Sequence, residues 1–389
     1  MRLIFGTLIF MLFFTGCQQK LYNLEFDKTK KIKKDKIKKD ETKKIKKEQS
    51  NEDGVQDGPN ELFDESGETK VPFSKNDTIQ YKDIDEVRSV LLLYSSNTIG
   101  KYAKIASSSA LGYALSSKTP FLIDTIDMST ESLPSINKAL TKAKQYGHKD
   151  IIAIITNKSY QNLINADFAD DFNIFLPIIN KNNISEIRDN FTYGGLDYKK
   201  QLQLLTDKIN GESSEFYDRS SLGFLLHKSL INSGGNLKFS RIIEQKDNSV
   251  RNIIAKNRHN LNSSNLFLNT NLIRTSMILS TLKGTRVKTK RSLSTQINYS
   301  PLLLTLVRPS DRSNLFITNS IKDIDPKITE NILLLGGKVR FNWIGFATVV
   351  GVDHFMNQDG EKIEPNIVEN QVLYGIDIYK TKDGAFVRR

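Results

Sequence analysis

Between residues 89 and 178, short apolar runs alternate with segments of helical periodicity, and that alternation limits the fold more than any other feature of the chain. Ser89-Val90-Leu91-Leu92-Leu93-Tyr94 is a continuous apolar run, the pattern of a strand buried on both faces. Ser95-Ser96-Asn97 reads as a turn and helix N-cap. The helix after it places Ile99, Tyr102, Ala103, Ala106, Ala110, Tyr113 and Ala114 at helical spacing. Phe121-Leu122-Ile123 is a second strand, and Leu133, Ile136, Leu140 and Ala143 share one face of a second helix ending near Gly147. Residues 151–155 and 173–178 are a third and a fourth strand. Strands alternating with helices imply right-handed βαβ units and a parallel sheet, so the chain is α/β.

The alternation restarts after Thr192-Tyr193-Gly194-Gly195. A helix over about 196–209, a weak strand at 214–217 and a helix over 221–232 that stops at Gly234-Gly235 open a second block. Strand 237–243, helix 248–258, strand 265–268 and helix 271–282 complete it. The last hundred or so residues carry strands near 293–298, 314–319, 346–351 and 372–379. The expected organisation is a bilobed domain at 81–389. Lobe one covers about 85–193 plus part of 295–350; lobe two covers about 194–294 plus part of the tail.

The N-terminus differs in kind. Met1-Arg2 precedes an apolar run from Leu3 to Phe14 and then Thr15-Gly16-Cys17. One positive charge and a short hydrophobic segment have the shape of a secretory signal, and the run is shorter than the ~20 apolar residues a bilayer span requires. Phe14-Thr15-Gly16-Cys17 resembles the lipobox of bacterial lipoproteins, departing from it at Phe14, where an aliphatic residue is usual. The reading is a signal peptide at 1–17 with Cys17 as the lipidated residue. Cys17 is the chain's only cysteine, so no internal disulfide and no cysteine chemistry remain. Gln18, where enteric bacteria use Asp to retain lipoproteins in the inner membrane, points to the outer membrane.

Residues 28–48 carry twelve Lys against four acids, a net of about +8, while 51–68 carry seven acids and no base, a net of about −7. Neither segment holds enough apolar residues to form a core, so 18–80 reads as a charged tether, disordered or helical. Its Lys block could also adhere to anionic headgroups or to peptidoglycan carboxylates. The two blocks nearly cancel, which leaves most of the formal +12 to the globular part.

An initial βαβαβαβ lobe, a second such lobe and a returning tail resemble the type I periplasmic-binding-protein fold. Residues 91–114, LLLYSSNTIGKYAKIASSSALGYA, resemble its opening strand, Ser-containing turn and long Gly/Ala helix. Phe175-Leu176-Pro177-Ile178-Ile179-Asn180 resembles the strand before the crossing, and 191–205 the crossing and the first helix of the second lobe. Tyr217-Asp218-Arg219-Ser220-Ser221-Leu222-Gly223 resembles the turn that opens that lobe's next helix. Within this superfamily the tail resembles that of lipoprotein activators of penicillin-binding proteins. The stretches concerned are Trp343-Ile344-Gly345-Phe346 and the closing Asp383-Gly384-Ala385-Phe386-Val387.

In that fold the cleft lies outside the carboxyl ends of the strands. The resemblance places Ser95, Ser96, Asn97, Asn180, Tyr193 and Asp218 there; in solute-binding relatives, first-turn hydroxyls and helix N-termini hold an anionic group. Asn180-Lys181-Asn182-Asn183 departs from the small hydroxyl-rich stretch of those relatives, which argues against an amino-acid ligand. No nucleophile elbow, P-loop or paired-His zinc motif occurs, and the four His are scattered, Asp353-His354 being adjacent residues that face apart. No enzyme activity, metal or cofactor is expected. The densest basic patch of the globular part comprises Lys283, Arg286, Lys288, Lys290 and Arg291. Outside the cytoplasm it suits an acidic partner or glycan rather than nucleic acid. Two functions follow: a lipid-tethered, non-catalytic interaction module docking on an envelope protein such as a peptidoglycan synthase, or a solute receptor closing on a small molecule.

Overall fold

The apolar runs become the centres of two parallel sheets. The structure, a computed structural model, describes residues 88–117, 121–244, 250–356, 363 and 366–389. Cys17 and the segments expected to be a signal peptide and a tether lie outside these.

In chain order the first elements are β1 (Arg88–Tyr94), α1 (Ser96–Ala114), β2 (Phe121–Asp127), α2 (Leu133–Gln145), β3 (Asp150–Ile154), α3 (Tyr160–Ile164), β4 (Asn173–Leu176) and β5 (Phe191–Tyr193). The second block comprises α4 (Tyr198–Thr206), β6 (Ser213–Asp218), α5 (Ser221–Asn232), β7 (Leu237–Ile243), α6 (Val250–Lys256), α7 (Arg258–Leu261), β8 (Asn265–Asn269), α8 (Leu272–Gly284), β9 (Arg291–Ser294), α9 (Pro301–Leu306) and β10 (Leu315–Asn319). The tail holds α10 (Pro326–Leu334), α11 (Trp343–Met356), β11 (Asn366–Val368), β12 (Gln371–Leu373), β13 (Asp377–Lys382) and β14 (Ala385–Arg388).

The first sheet runs β11-β12-β5-β4-β3-β1-β2 and the second β14-β13-β10-β9-β8-β6-β7. β1 to β5 are parallel neighbours, as are β6 to β10. The tail completes both: β12 joins β5 in parallel, while β13 pairs antiparallel with β10. The chain therefore crosses between lobes after β5, after β10 and after β12.

Lobe one is packed on both faces, as the continuous run predicts. Leu91, Leu93, Ile151, Ala153 and Leu176 face α2 and α3. Val90, Leu92, Ile152, Ile154 and Phe175 face α1, α10 and α11. The first crossing is tight because Gly195 has no Cβ; one there would stand 2.3 Å from the Ile179 carbonyl carbon.

The tail departs from expectation most in one element. The strand anticipated at 346–351 is the middle of α11, whose residues Gly345 to Asp353 are all buried. A helix enclosed on every side loses its amphipathic period, and its β-branched run Thr348-Val349-Val350 then imitates a strand. The anticipated 293–298 strand ends at Ser294 and turns into a 3-10 turn at Gln296–Asn298, and 372–379 divides into β12 and β13 around the last crossing. No described helix is long and apolar enough to cross a membrane.

Candidate functional site

The carboxyl ends of the parallel strands of both lobes open on one cavity of about 590 Å³. Its lobe-two wall sets polar groups among Leu222, Leu225, Leu272 and Ile297. β6 ends in Asp218, and the chain turns at once into α5, where Ser220 Oγ accepts the Gly223 N–H at 3.0 Å. Gly223 is required there, since a Cβ would stand 2.1 Å from the Asp218 carbonyl oxygen. Asp218 Oδ2 accepts the Asn271 N–H at 2.5 Å, and Arg274 Nε lies 3.4 Å from Oδ1 as a longer ion-pair contact. Burial raises the Asp218 pKa, with the Asn271 N–H and Arg274 opposing it. Asn271 in turn caps α8 by accepting the Arg274 N–H at 3.1 Å. Asn269 and Gln296 complete this wall.

The lobe-one wall sets Tyr102, Ile178, Trp343 and Ile344 beside Asn157 and Asn183. Trp343 Nε1 donates to the Pro177 carbonyl at 3.1 Å, and its ring meets Tyr374 edge-on at 4.7 Å. Tyr299 and Phe341 face each other across the mouth, with centroids 5.2 Å apart.

Of the six cleft residues suggested by the sequence, Asp218 lines the cavity and the others do not. Ser95 is fully buried; its Oγ donates to the Ser129 carbonyl at 2.7 Å and lies 3.1 Å from Thr98 Oγ1. The cause is the loop after β2, where Ser129 takes a positive φ of 60° and folds its carbonyl over the first turn. Ser96 and Asn97 are exposed, and their N–H groups go to Asp127 and to the Ser129 carbonyl. Asn180 is spent on the crossing, donating to the Gly195 carbonyl at 3.1 Å and accepting the Asn182 N–H at 3.0 Å. Tyr193 is in the lobe-one core, its hydroxyl 2.7 Å from that of Tyr160 and accepting the Arg188 N–H. Asn269, Gln296, Tyr299 and Trp343 escaped the sequence reading. The one available hint for Asn269 is its place as the polar end of the apolar run Leu266-Phe267-Leu268.

The five basic residues sit at the opposite end of lobe two, on the segment from the end of α8 to the start of β9. Lys283 pairs with Asp311 at 3.5 Å, Lys290 Nζ donates to Asn210 Oδ1 at 2.6 Å, and Arg291 donates to the Lys208 carbonyl. Arg286 holds a positive φ of 57° in the turn, where its carbonyl accepts from Arg258, and the Lys288 N–H goes to Asn262. Arg291 also rims a groove of about 420 Å³ along the sheet, floored by Leu205, Leu293, Phe316 and Ile378, with Lys208 and Arg389 beside it. Lys380 Nζ lies over the Phe316 ring at 5.8 Å.

Behind the lobe-two wall, the fully buried Glu215 accepts from Asn269 Nδ2 at 2.8 Å and from Ser240 Oγ at 2.8 Å, with His227 Nδ1 at 2.6 Å. The His227 ring stacks on Tyr217 at 4.2 Å. No group of three His, Cys, Asp or Glu suited to a metal occurs among the described residues.

The chain matches no protein-family model and no curated protein. Solved structures match over most of the globular part. The LpoA C-domain from Haemophilus influenzae, described as a regulator of PBP1A, aligns with a TM-score of 0.55 at 12% identity over 77% of this chain and 99% of that one. A branched-chain amino acid ABC transporter structure from Thermus thermophilus with bound valine gives 0.56 at 13%, over 78% and 95%. The fold is that of a two-lobed type I periplasmic binding protein. Against a longer LpoA chain from Haemophilus influenzae the TM-score is 0.54 at 12% identity; 78% of this chain is covered, but it spans only about 58% of that chain.

Proposed function

We propose that this chain is a membrane-anchored envelope protein that binds another protein without catalysing a reaction, and that its partner is a peptidoglycan synthase whose activity it raises. The observation that carries the reading is the groove on lobe two. Its apolar floor, Phe316 above all, is bordered by Lys208, Arg291 and Arg389, with no acid lining it among the described residues. A partner segment that is acidic and carries large apolar side chains fits such a surface. Likeness of fold to the LpoA C-domain, a regulator of PBP1A, supports the choice of partner class. The lipobox-like Phe14-Thr15-Gly16-Cys17 supports a lipid anchor at Cys17, and Gln18 favours the outer membrane. The tether at 18–80 would hold the domain in the periplasm.

The test uses the full chain in detergent with the class A penicillin-binding enzyme of the source organism, following glycan polymerisation and direct binding. Stimulation is expected, and Lys208→Glu with Arg291→Glu should weaken binding at least about tenfold, since each reversed rim charge turns attraction into repulsion. Neither stimulation nor binding by the unmodified chain would sink the proposal. The solute-receptor reading finds less support, because Ser95 is turned into the lobe rather than toward the cavity.

A further inference from the structure

Four loops of lobe one each leave a large apolar side chain in solvent. Leu115 follows α1, Tyr146 follows α2, Phe168 follows α3 and Ile187 precedes β5; all are exposed, Tyr146 the most at 70%. These loops lead into β2, β3, β4 and β5, so the four side chains stand at the amino ends of the parallel strands, away from the cleft. Across the sheet they span four strand spacings, roughly 20 Å. The loops are tied to one another: Lys144 pairs with Asp171 at 2.6 Å, and Arg188 with Asp170 at 3.1 Å and Glu186 at 3.3 Å. Lys144 Nζ also lies over the Phe168 ring at 4.1 Å. The corresponding loops of lobe two, leading into β6 to β10, differ in kind. Among the described residues they expose Ser263, Arg286, Lys288 and Lys290 but no large apolar side chain.

We propose that this rim rests on a lipid bilayer, with Leu115, Tyr146, Phe168 and Ile187 entering the headgroup layer. What selects a bilayer as the occupant is the place where the chain joins the lobe. The described residues begin at Arg88, the first residue of β1, and β1 lies between β3 and β2. The preceding sequence, with its lipobox-like Phe14-Thr15-Gly16-Cys17, therefore joins lobe one within the rim. The inference rests on the lipid anchor proposed above. Aliphatic side chains, an amphipathic tyrosine and a lysine whose stem covers an aromatic ring are the composition of a membrane interface. Lys144 and Arg188 are spent on acids of the same rim, which favours zwitterionic over anionic headgroups. The carboxyl ends of both sheets meet at the cavity, so the amino end of lobe two, with the groove at Arg291 and Phe316, is then turned away from the lipid.

The full chain is reconstituted in phosphatidylcholine vesicles with and without bromine on the acyl chains, where bromine quenches tryptophans that reach the bilayer. Flotation with the vesicles reports the anchor. A chain that does not float refutes the anchor alone; its Cys17 thiol, the only one in the sequence, is then coupled to a maleimide lipid and the rim is tested on that tether. Trp343, the parent's one tryptophan, lines the cleft and should emit equally in both vesicles. In Tyr146→Trp the added emission should fall by about half or more in brominated vesicles. Ile273→Trp, an exposed position at the start of α8, controls for chance collisions and should lose less than about a tenth. Adding Leu115→Glu and Phe168→Glu to Tyr146→Trp sets charges against the lipid and should cut the quenching at least about threefold. Every substituted position is exposed, so the core is untouched. The proposal is overturned if Tyr146→Trp emits equally in both vesicles, if Ile273→Trp is quenched as strongly, or if the folded charged variant is quenched as fully.

Discussion

β1 and β6 hold the same place in their sheets, each second from one edge and each the first strand of its lobe, yet they are built from opposite chemistry. β1 buries Val90, Leu91, Leu92 and Leu93, all at 1% exposure or less. β6 buries Ser213, Ser214, Glu215 and Phe216 to the same degree. Lobe one is held by hydrocarbon on both faces of its sheet. In lobe two the interior polar groups are tied to particular partners: Ser214 Oγ donates to the Asn260 carbonyl at 2.8 Å, and Glu215 is met by Asn269, Ser240 and His227. The difference teaches that burial alone does not select apolar residues where the charged or most polar of the buried groups, here Glu215, find partners. It also has a directional consequence. A hydrocarbon core fixes no amide, whereas Glu215 dictates which end of the Asn269 amide turns toward it.

The sharpest way to break this comparison is to remove volume from the lobe that depends on it. Phe175 is fully buried, touches the rings of His354 and Phe355, and fills the space left by Gly194 and Gly351. Phe175→Ala should lower stability by about 3–5 kcal/mol in urea unfolding. A loss under about 1 kcal/mol would mean that lobe one does not rest on close packing. In lobe two the corresponding cut is polar. Glu215→Met keeps bulk but strands the fully buried Asn269 amide, and should cost roughly 1–3 kcal/mol in urea unfolding. Unchanged stability would show that the buried carboxylate orients nothing.

The same contrast explains what could be read from the chain alone. β1, β3 and β4 announce themselves as apolar runs because hydrocarbon burial leaves a compositional trace. β6 reads as a weak strand because Ser-Ser-Glu looks like a surface, and no local pattern says that Asn260, Ser240 and His227 will meet it. The helix α11 fails in the other direction, since enclosure by α1 and the sheet erased its period. At the cleft, Asp218 was legible from a turn pattern that resembles the family's. Ser95 has the same kind of resemblance, but its hydroxyl went to Ser129, a contact decided by the backbone of a loop thirty-odd residues away. Asn269 and Gln296 are defined by which of their two amide atoms is already occupied, and that depends wholly on tertiary partners.

The smallest expected effect tests how lobe one treats a half-buried polar group beside its core. His354 lies on α11 against Phe175 and Phe355, with ring centroids 6.1 and 5.2 Å away. Burial lowers its pKa below the ordinary 6.5, with Asp150 and Asp353 pulling the other way. The folded ring therefore stays neutral where the unfolded one takes up a proton. Its contribution is fully present above the unfolded pKa and is lost as the pH falls through about 6.5 toward the lowered folded value. Urea midpoints compared between about pH 7.5 and pH 5.5 should fall more steeply for the parent than for His354→Phe, because every other titrating group is common to both. Parallel curves would show that the ring is reached by water or paired in the folded state. Lobe one would then handle buried polarity by the same directed pairing as lobe two, and the contrast between β1 and β6 would not extend beyond those strands.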